Sequence, residues 1–146
     1  MPRLIGIAIK PHNEYEMKLC EQASITTEAG VAGDSRGKPG SRQVTVLSLV
    51  AWTEACSELG IQLDWIKRRA NLLVDDIPLQ QSIGQSIIMG DAVLEITGET
   101  DPCTRMEKVH KGLFNALAKN WRGGVTCRVL NGGTLVTGMP VSLGKS

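Results

Sequence analysis

Apolar and polar positions alternate at the start of the chain, where Ile5, Ile7 and Ile9 are interleaved with Gly6, Ala8 and Lys10, a pattern that predicts a strand. Further strands are expected at residues 23–27 and 43–47. From Ser48 to Gly60 the apolar positions Leu49, Trp52, Ala55, Cys56 and Leu59 recur at steps of three and four. This predicts a helix, with Gly60 placed to stop it. Residues 71–74 read as a strand cut off by Asp75, Asp76 and Pro78. Residues 86–89 and 92–97 form two more around Gly90-Asp91, a pair able to supply the positive φ of a tight turn. Val109, Leu113, Leu117 and Trp121 stand four apart, with Phe114 and Ala116 widening the stripe, so one helix is expected over 106–121 despite Gly112. Residues 125–130 alternate, Asn131-Gly132-Gly133 turns, and 135–143 returns past Gly138 as a terminal hairpin. Seven to nine short strands with two inserted helices describe a mainly β fold, a barrel or sandwich and not a βαβ repeat.

Residues 30–42 interrupt this pattern with four glycines, a proline, three cations and one anion, and nothing apolar enough to anchor a core. They read as a basic loop. The whole chain of 146 residues, 42% hydrophobic and 21% charged, fits one soluble domain spanning 1–146. A core of this size needs neither disulfides nor a structural metal. A net charge of +1 offers no global field for coating nucleic acid, and the five aromatics are too scattered to make base-stacking platforms. No apolar run is long enough to span a bilayer, and the N-terminus lacks a signal-peptide pattern. Neither nucleic acid nor membrane is expected as a partner. Cys20, Cys56, Cys103 and Cys127 form no CxxC pair or zinc spacing, so a cytoplasmic chain with free thiols is the default.

Cys103 differs from the other cysteines because it sits between the end of a strand and the start of a helix. Pro102 fixes the approach, Arg105 brings a positive charge, and the first turn of the helix presents free N–H groups, all of which favour thiolate over thiol. Glu99, Asp101 and Glu107 would oppose this if they pointed at the sulfur. Cys56 falls on the stripe of the first helix and Cys127 on the alternating face of Val125 and Val129, so both read as core. Cys20 receives no role. Cations cluster at Arg36, Lys38 and Arg42, at Lys67, Arg68 and Arg69, and at Arg122 and Arg128. Arginines beside glycines suit a shared anion site, and three separate solvated patches are the alternative. No GxxxxGK[ST] or strand-linked GxGxxG supports a nucleotide loop, and no GxSxG supports a triad of Ser48 with His12 or His110.

Six segments, in order, resemble the MOSC domain, the module named after the C-terminal part of eukaryotic molybdenum cofactor sulfurase. They are Gly33-Asp34-Ser35-Arg36-Gly37-Lys38 with Arg42-Gln43-Val44; Val46-Leu47-Ser48; Arg69-Ala70-Asn71-Leu72-Leu73-Val74; Gly90-Asp91-Ala92-Val93-Leu94-Glu95-Ile96; Pro102-Cys103-Thr104-Arg105-Met106; and Gly123-Gly124-Val125 through Gly138. The resemblance covers about residues 30–143 and implies a MOSC-type β-barrel and a role in molybdenum cofactor or sulfur chemistry. It implies that Cys103 is the reactive residue, either ligating molybdenum or carrying sulfur as a persulfide. Arg69 and Asn71 match an Arg-x-Asn element that helps hold the cofactor in amidoxime-reducing relatives. Arg36, Lys38, Arg42 and Arg105 are the further candidates for binding molybdopterin.

The chain carries no aminotransferase-like, iron–sulfur or flavin segment, so a separate reductase or cysteine desulfurase is expected as partner. Three functions follow: a molybdenum-dependent oxidoreductase acting on N-hydroxylated substrates, a sulfur-carrier module, or a non-catalytic small-molecule or partner-binding domain. An exposed barrel edge permits a homodimer without requiring one.

Overall fold

The computed structural model describes residues 2–100 and 103–145. Two short strands are buried on both faces, and the remaining elements are arranged around them. In β5 (Val44–Ser48), Val44 and Val46 enter one core while Leu47 enters another. In β6 (Leu72–Val74), Leu72 and Val74 enter the first core and Leu73 the second. The two strands pair in parallel, with Val46 opposite Leu72 and Ser48 opposite Val74. A parallel pair needs a crossover. It is supplied by α1 (Leu49–Glu58) and a 3-10 turn (Trp65–Arg68).

The first core lies among β5, β6 and the other strands: β1 (Leu4–Ile9), β2 (Lys18–Cys20), β3 (Gln22–Thr26), β4 (Gly30–Val31), β7 (Gln85–Met89), β8 (Ala92–Glu99), β9 (Val125–Asn131), β10 (Gly133–Val136) and β11 (Ser142–Lys145). The second core packs α1, α2 (Arg105–Val109) and α3 (Leu113–Ala118) onto Leu47 and Leu73. An eight-stranded mixed sheet runs β11-β7-β8-β9-β5-β6-β1-β2, and a three-stranded sheet runs β10-β3-β4. Mainly β with inserted helices is therefore the fold. The larger sheet does not close into a continuous ladder, so "barrel" describes it loosely. Its ends are tied together by the chain before β11. There the Val141 N–H donates to the Pro2 carbonyl at 2.9 Å, and the Leu4 N–H to the Met139 carbonyl at 2.9 Å.

Four expectations need correction. The single helix over 106–121 is two helices. His110 ends α2 in extended backbone and Gly112 starts α3 at φ 90°, where a helical residue cannot continue. The periodic residues Leu113 and Leu117 still reach the helical core, so the stripe reported the buried face correctly while the backbone between the turns was broken. The terminal hairpin does not form either: β10 pairs with β3, β11 pairs with β7, and β9 lies between β8 and β5. Thirdly, Ile5 is 42% exposed although Ile7 and Ile9 are buried, because the β1–β6 register shifts between Leu4 and Gly6 and turns Ile5 outward. Lastly, the basic loop does anchor in the core, through Val31, buried in β4.

The helix break gives a direct test. A Cβ on Gly112 would meet Leu59 Cδ2 at 2.9 Å while its backbone stays at φ +90°. Gly112→Ala should lower unfolding free energy by about 1–3 kcal/mol in a denaturant titration. Unchanged or higher stability would mean that the two helices run on as one.

Candidate functional site

Loops from five parts of the chain meet beside Cys103. The 3-10 turn is capped by Asp64, whose Oδ1 accepts the Ile66 N–H at 3.1 Å, and it ends at Arg69 in the left-handed conformation, φ 66° and ψ 29°. That reversal separates two consecutive arginines. Arg68 is 7% exposed and donates from a terminal guanidinium nitrogen to the Gly123 carbonyl at 2.9 Å. Arg69 turns to the rim, donates to the Tyr15 carbonyl at 3.1 Å and lies over the Tyr15 ring at 5.8 Å from its centroid.

The basic loop is held against this turn from two directions. Gln43, 2% exposed, donates to the Thr27 and Gly37 carbonyls and accepts the Val129 N–H at 2.9 Å. Arg36 donates to the Arg69 carbonyl at 3.1 Å and to Met17 Sδ at 3.4 Å. The result is a cleft of about 180 Å³ lined by Arg36, Arg42, Thr45, Arg68, Arg69, Thr100, Cys103, Arg105 and Met106. A second compartment of about 390 Å³ shares Arg69 and Arg105 with it and adds Tyr15, Met17, Lys67 and Lys108. A third cavity, about 550 Å³, lies beside α1 and is lined by no charged side chain.

Cys103 is exposed, and its Sγ accepts the Arg105 N–H at 3.4 Å. Pro102 and Asp101, which the sequence sets next to it, lie outside the described residues. The Glu107 carboxylate accepts the Gly112 N–H at 3.0 Å and the Phe114 N–H at 3.3 Å at the start of α3. Among the described residues the cleft is lined by five arginines and no carboxylate. Burial pulls the Arg68 guanidinium down to about 10, with Arg36 and Arg42 adding to the effect and the Cys103 charge opposing it. Arg69 is lowered by burial, then by Arg105 and Arg36, while Tyr15 and Cys103 oppose. Even so, Arg68 stays cationic at neutral pH.

Of the candidate residues, Cys103, Arg36, Arg42, Arg69 and Arg105 come together, whereas Lys38 and Asn71 are absent from the lining. Lys38 is exposed on the basic loop. Asn71 is 3% exposed and its side chain is spent on the fold: Oδ1 accepts the Thr45 N–H at 3.1 Å and Nδ2 donates to the Ala8 carbonyl at 3.2 Å. Nor does the third basic stretch join the cleft. Arg122 pairs with Glu54 and Glu58, and Arg128 with Glu95.

Thr45 and Thr100 line the cleft without having been singled out from the sequence, where Arg68 figured only as one member of a cation cluster and Met106 only within a family segment. For Arg68 a signal existed, since residues three apart eclipse in a 3-10 turn and Trp65 packs against the helical core. Among the described residues no group of three His, Cys, Asp or Glu side chains could hold a metal.

The profile of the MOSC domain matches residues 32–142, about three-quarters of the chain. The chain belongs to the MOSC domain family. Its fold is similar to that of the YUAD protein from Bacillus subtilis, at 20% identity and a TM-score of 0.78 over 100% of this chain and 97% of that one. YiiM from Geobacillus stearothermophilus is similar at 13% identity and a TM-score of 0.78, over 98% of this chain and 75% of that one. YiiM from Escherichia coli follows at 14% identity and a TM-score of 0.72, over 99% and 70%. No curated protein matches the sequence. MOSC domains are associated with molybdenum cofactor binding.

Two measurements check the assignments of the buried and exposed groups. Alkylation of the folded protein should modify Cys103 well ahead of Cys56 and Cys127, which are 4% and 0% exposed and whose thiols burial pushes up. Faster labelling of either buried thiol would overturn that order. Asn71→Ala, which strands the Thr45 N–H and the Ala8 carbonyl, should cost about 2–4 kcal/mol in chemical denaturation. A variant as stable as the parent would return Asn71 to the list of ligand-binding candidates.

Proposed function

We propose that this MOSC protein binds the molybdenum cofactor in the Cys103 cleft, with Cys103 Sγ as the ligand to molybdenum, and reduces N-hydroxylated substrates using electrons from a separate reductase. The observation that carries this reading is an exposed thiol sharing one cleft with five arginines, with no carboxylate lining it among the described residues. Such a cleft attracts an anion, and a soft sulfur donor suits molybdenum. The buried polar atoms fit as well. Arg68 Nε, Arg69 Nε and Thr100 Oγ1 all belong to residues lining the cleft and have no hydrogen-bond partner there.

In this reading Arg36, Arg42, Arg69 and Arg105 hold the phosphate and oxo groups, and Asn71 acts at a distance by fixing the backbone that presents Arg69. The Arg105 N–H holds Sγ in place. When bound, the cofactor supplies a metal centre able to exchange electron pairs with the substrate. Converting N–OH to N–H takes two electrons and two protons and releases water, so a reductase of flavin or iron–sulfur type is the class of partner required.

The exposure of Cys103 favours a second reading, in which its thiol accepts sulfane sulfur from a separate cysteine desulfurase and passes it on as a persulfide. Metal analysis separates the two. Protein made in cells with intact cofactor synthesis should carry molybdenum, and protein from cells lacking it should carry none. Cys103→Ser should lose most of the metal, because serine offers no soft anionic ligand at neutral pH. Arg69→Ala should weaken cofactor retention roughly ten- to a hundredfold, the cost of one charge-assisted contact. Absence of molybdenum from both preparations would overturn the cofactor reading, and sulfane sulfur on Cys103 would then favour the carrier.

A further inference from the structure

Two of the residues lining the Cys103 cleft combine deep burial with an unused donor. Arg68 is 7% exposed and Thr100 is 5% exposed, yet Arg68 Nε and Thr100 Oγ1 have no partner among the described residues. Both are fixed by consecutive carbonyls. The Arg68 terminal nitrogen donates to the Gly123 carbonyl at 2.9 Å, and the Thr100 N–H donates to the Gly124 carbonyl at 2.9 Å. Gly123 is itself part of this arrangement: a Cβ there would stand 2.6 Å from the Thr100 carbonyl oxygen and 3.4 Å from the Arg68 guanidinium.

A buried donor left without an acceptor costs free energy, and a buried cation costs more. Four further arginines crowd the same cleft, and burial has already lowered the Arg68 guanidinium. A tetrahedral oxyanion would relieve every one of these terms, because it brings negative charge and several acceptors to one point. The space agrees with that size. The cleft of about 180 Å³ admits an oxyanion beside the thiol, and the adjoining compartment of about 390 Å³, which shares Arg69 and Arg105, leaves room for a larger group.

We propose that Arg68 and Thr100 form the floor of an oxyanion seat next to Cys103, with Arg68 Nε and Thr100 Oγ1 donating to one tetrahedral oxyanion or oxo group and Arg36, Arg42 and Arg105 closing over it. The seat deepens the cofactor reading and rests on it only in sharing the cleft, since it needs neither the thiol nor the organic portion of a cofactor. Phosphate, sulfate and molybdate share the required shape. Phosphate is the chosen probe because it forms no bond to sulfur.

The test is calorimetric titration of phosphate into the full chain at fixed ionic strength, with chloride as the balancing salt and thermal stability recorded in its absence. The wild type should bind one phosphate saturably. Thr100→Val keeps the shape and the N–H bond to Gly124 but removes the unused hydroxyl. It should weaken phosphate about three- to tenfold while leaving the melting temperature unchanged or higher. Arg128→Gln, which removes a cation paired with Glu95 outside the cleft, should bind as the wild type does. Equal affinity in Thr100→Val, a fall in its melting temperature with the loss of binding, or an equal loss in Arg128→Gln would each overturn the seat. Molybdenum retained by a wild type that binds no phosphate would overturn the seat alone. Phosphate bound as described by a protein that never acquires molybdenum would overturn the cofactor reading alone.

Discussion

Apart from Thr45, whose half-buried side chain lines the cleft, β5 and β6 are buried on both faces, and that constraint fixes where the cleft can be. Each strand divides its side chains between the two cores, Val44, Val46, Leu72 and Val74 on one side and Leu47 and Leu73 on the other. Slipping either strand by one residue would exchange the two sets, so its register is strongly specified. The approaches to these strands inherit that precision. Arg42 stands two residues before β5, and Arg68 and Arg69 stand just before β6. Asn71 and Thr45 cross-link the two approaches, with the Asn71 N–H donating to Thr45 Oγ1 at 3.0 Å and the Thr45 N–H to Asn71 Oδ1 at 3.1 Å. A rigid wall thus presents flexible cations at defined positions.

The cleft departs from the rule that buried charges are paired. Glu58 shows the rule obeyed: Lys119 and Arg122 hold its carboxyl below the usual range, and the site is an ordinary surface ion pair. Arg68 shows the departure. It has one carbonyl, no carboxylate among the cleft-lining residues, and like charges nearby. The fold holds it there through Gly123 and Gly124. Gly124 adopts φ +93°, and a Cβ on it would fall 2.3 Å from the Val46 carbonyl oxygen. The chain can come this close to β5 only without a side chain.

Local pattern exposed most strands and the first helix, because alternation and three-to-four spacing are recorded within a few residues. It could not name partners. Residues 135–143 read as one returning arm, yet the strands that share them, β10 and β11, pair with β3 and β7. The break at Gly112 was visible as a glycine but outvoted by the stripe around it, since Leu113 and Leu117 keep their burial across the break. In the site, Cys103 and the arginines were legible from residue type and glycine neighbours. Which of Lys67, Arg68 and Arg69 goes inside was legible only through the three-residue spacing of Arg68 from Trp65, and only once Trp65–Arg68 is known as a 3-10 turn ended by a left-handed residue. Thr100 left no trace in sequence at all.

Asn71 shows how a family motif and a geometry divide the work. The Arg-x-Asn spacing resembles a cofactor-holding element of the family, and its two members are placed differently here. Arg69 reaches the cleft, while Asn71 is buried and bonded to two strands. Both roles belong to one device. Left-handed backbone at Arg69 is strained for a residue with a side chain, on the order of 1–3 kcal/mol. The Asn71 bonds to Thr45 and Ala8 hold the chain on the far side of that strain, and the Asp64 cap holds it on the near side. An arginine clamped at both ends loses less conformational freedom when it meets an anion, so under the proposed function the asparagine would add to affinity without touching the ligand.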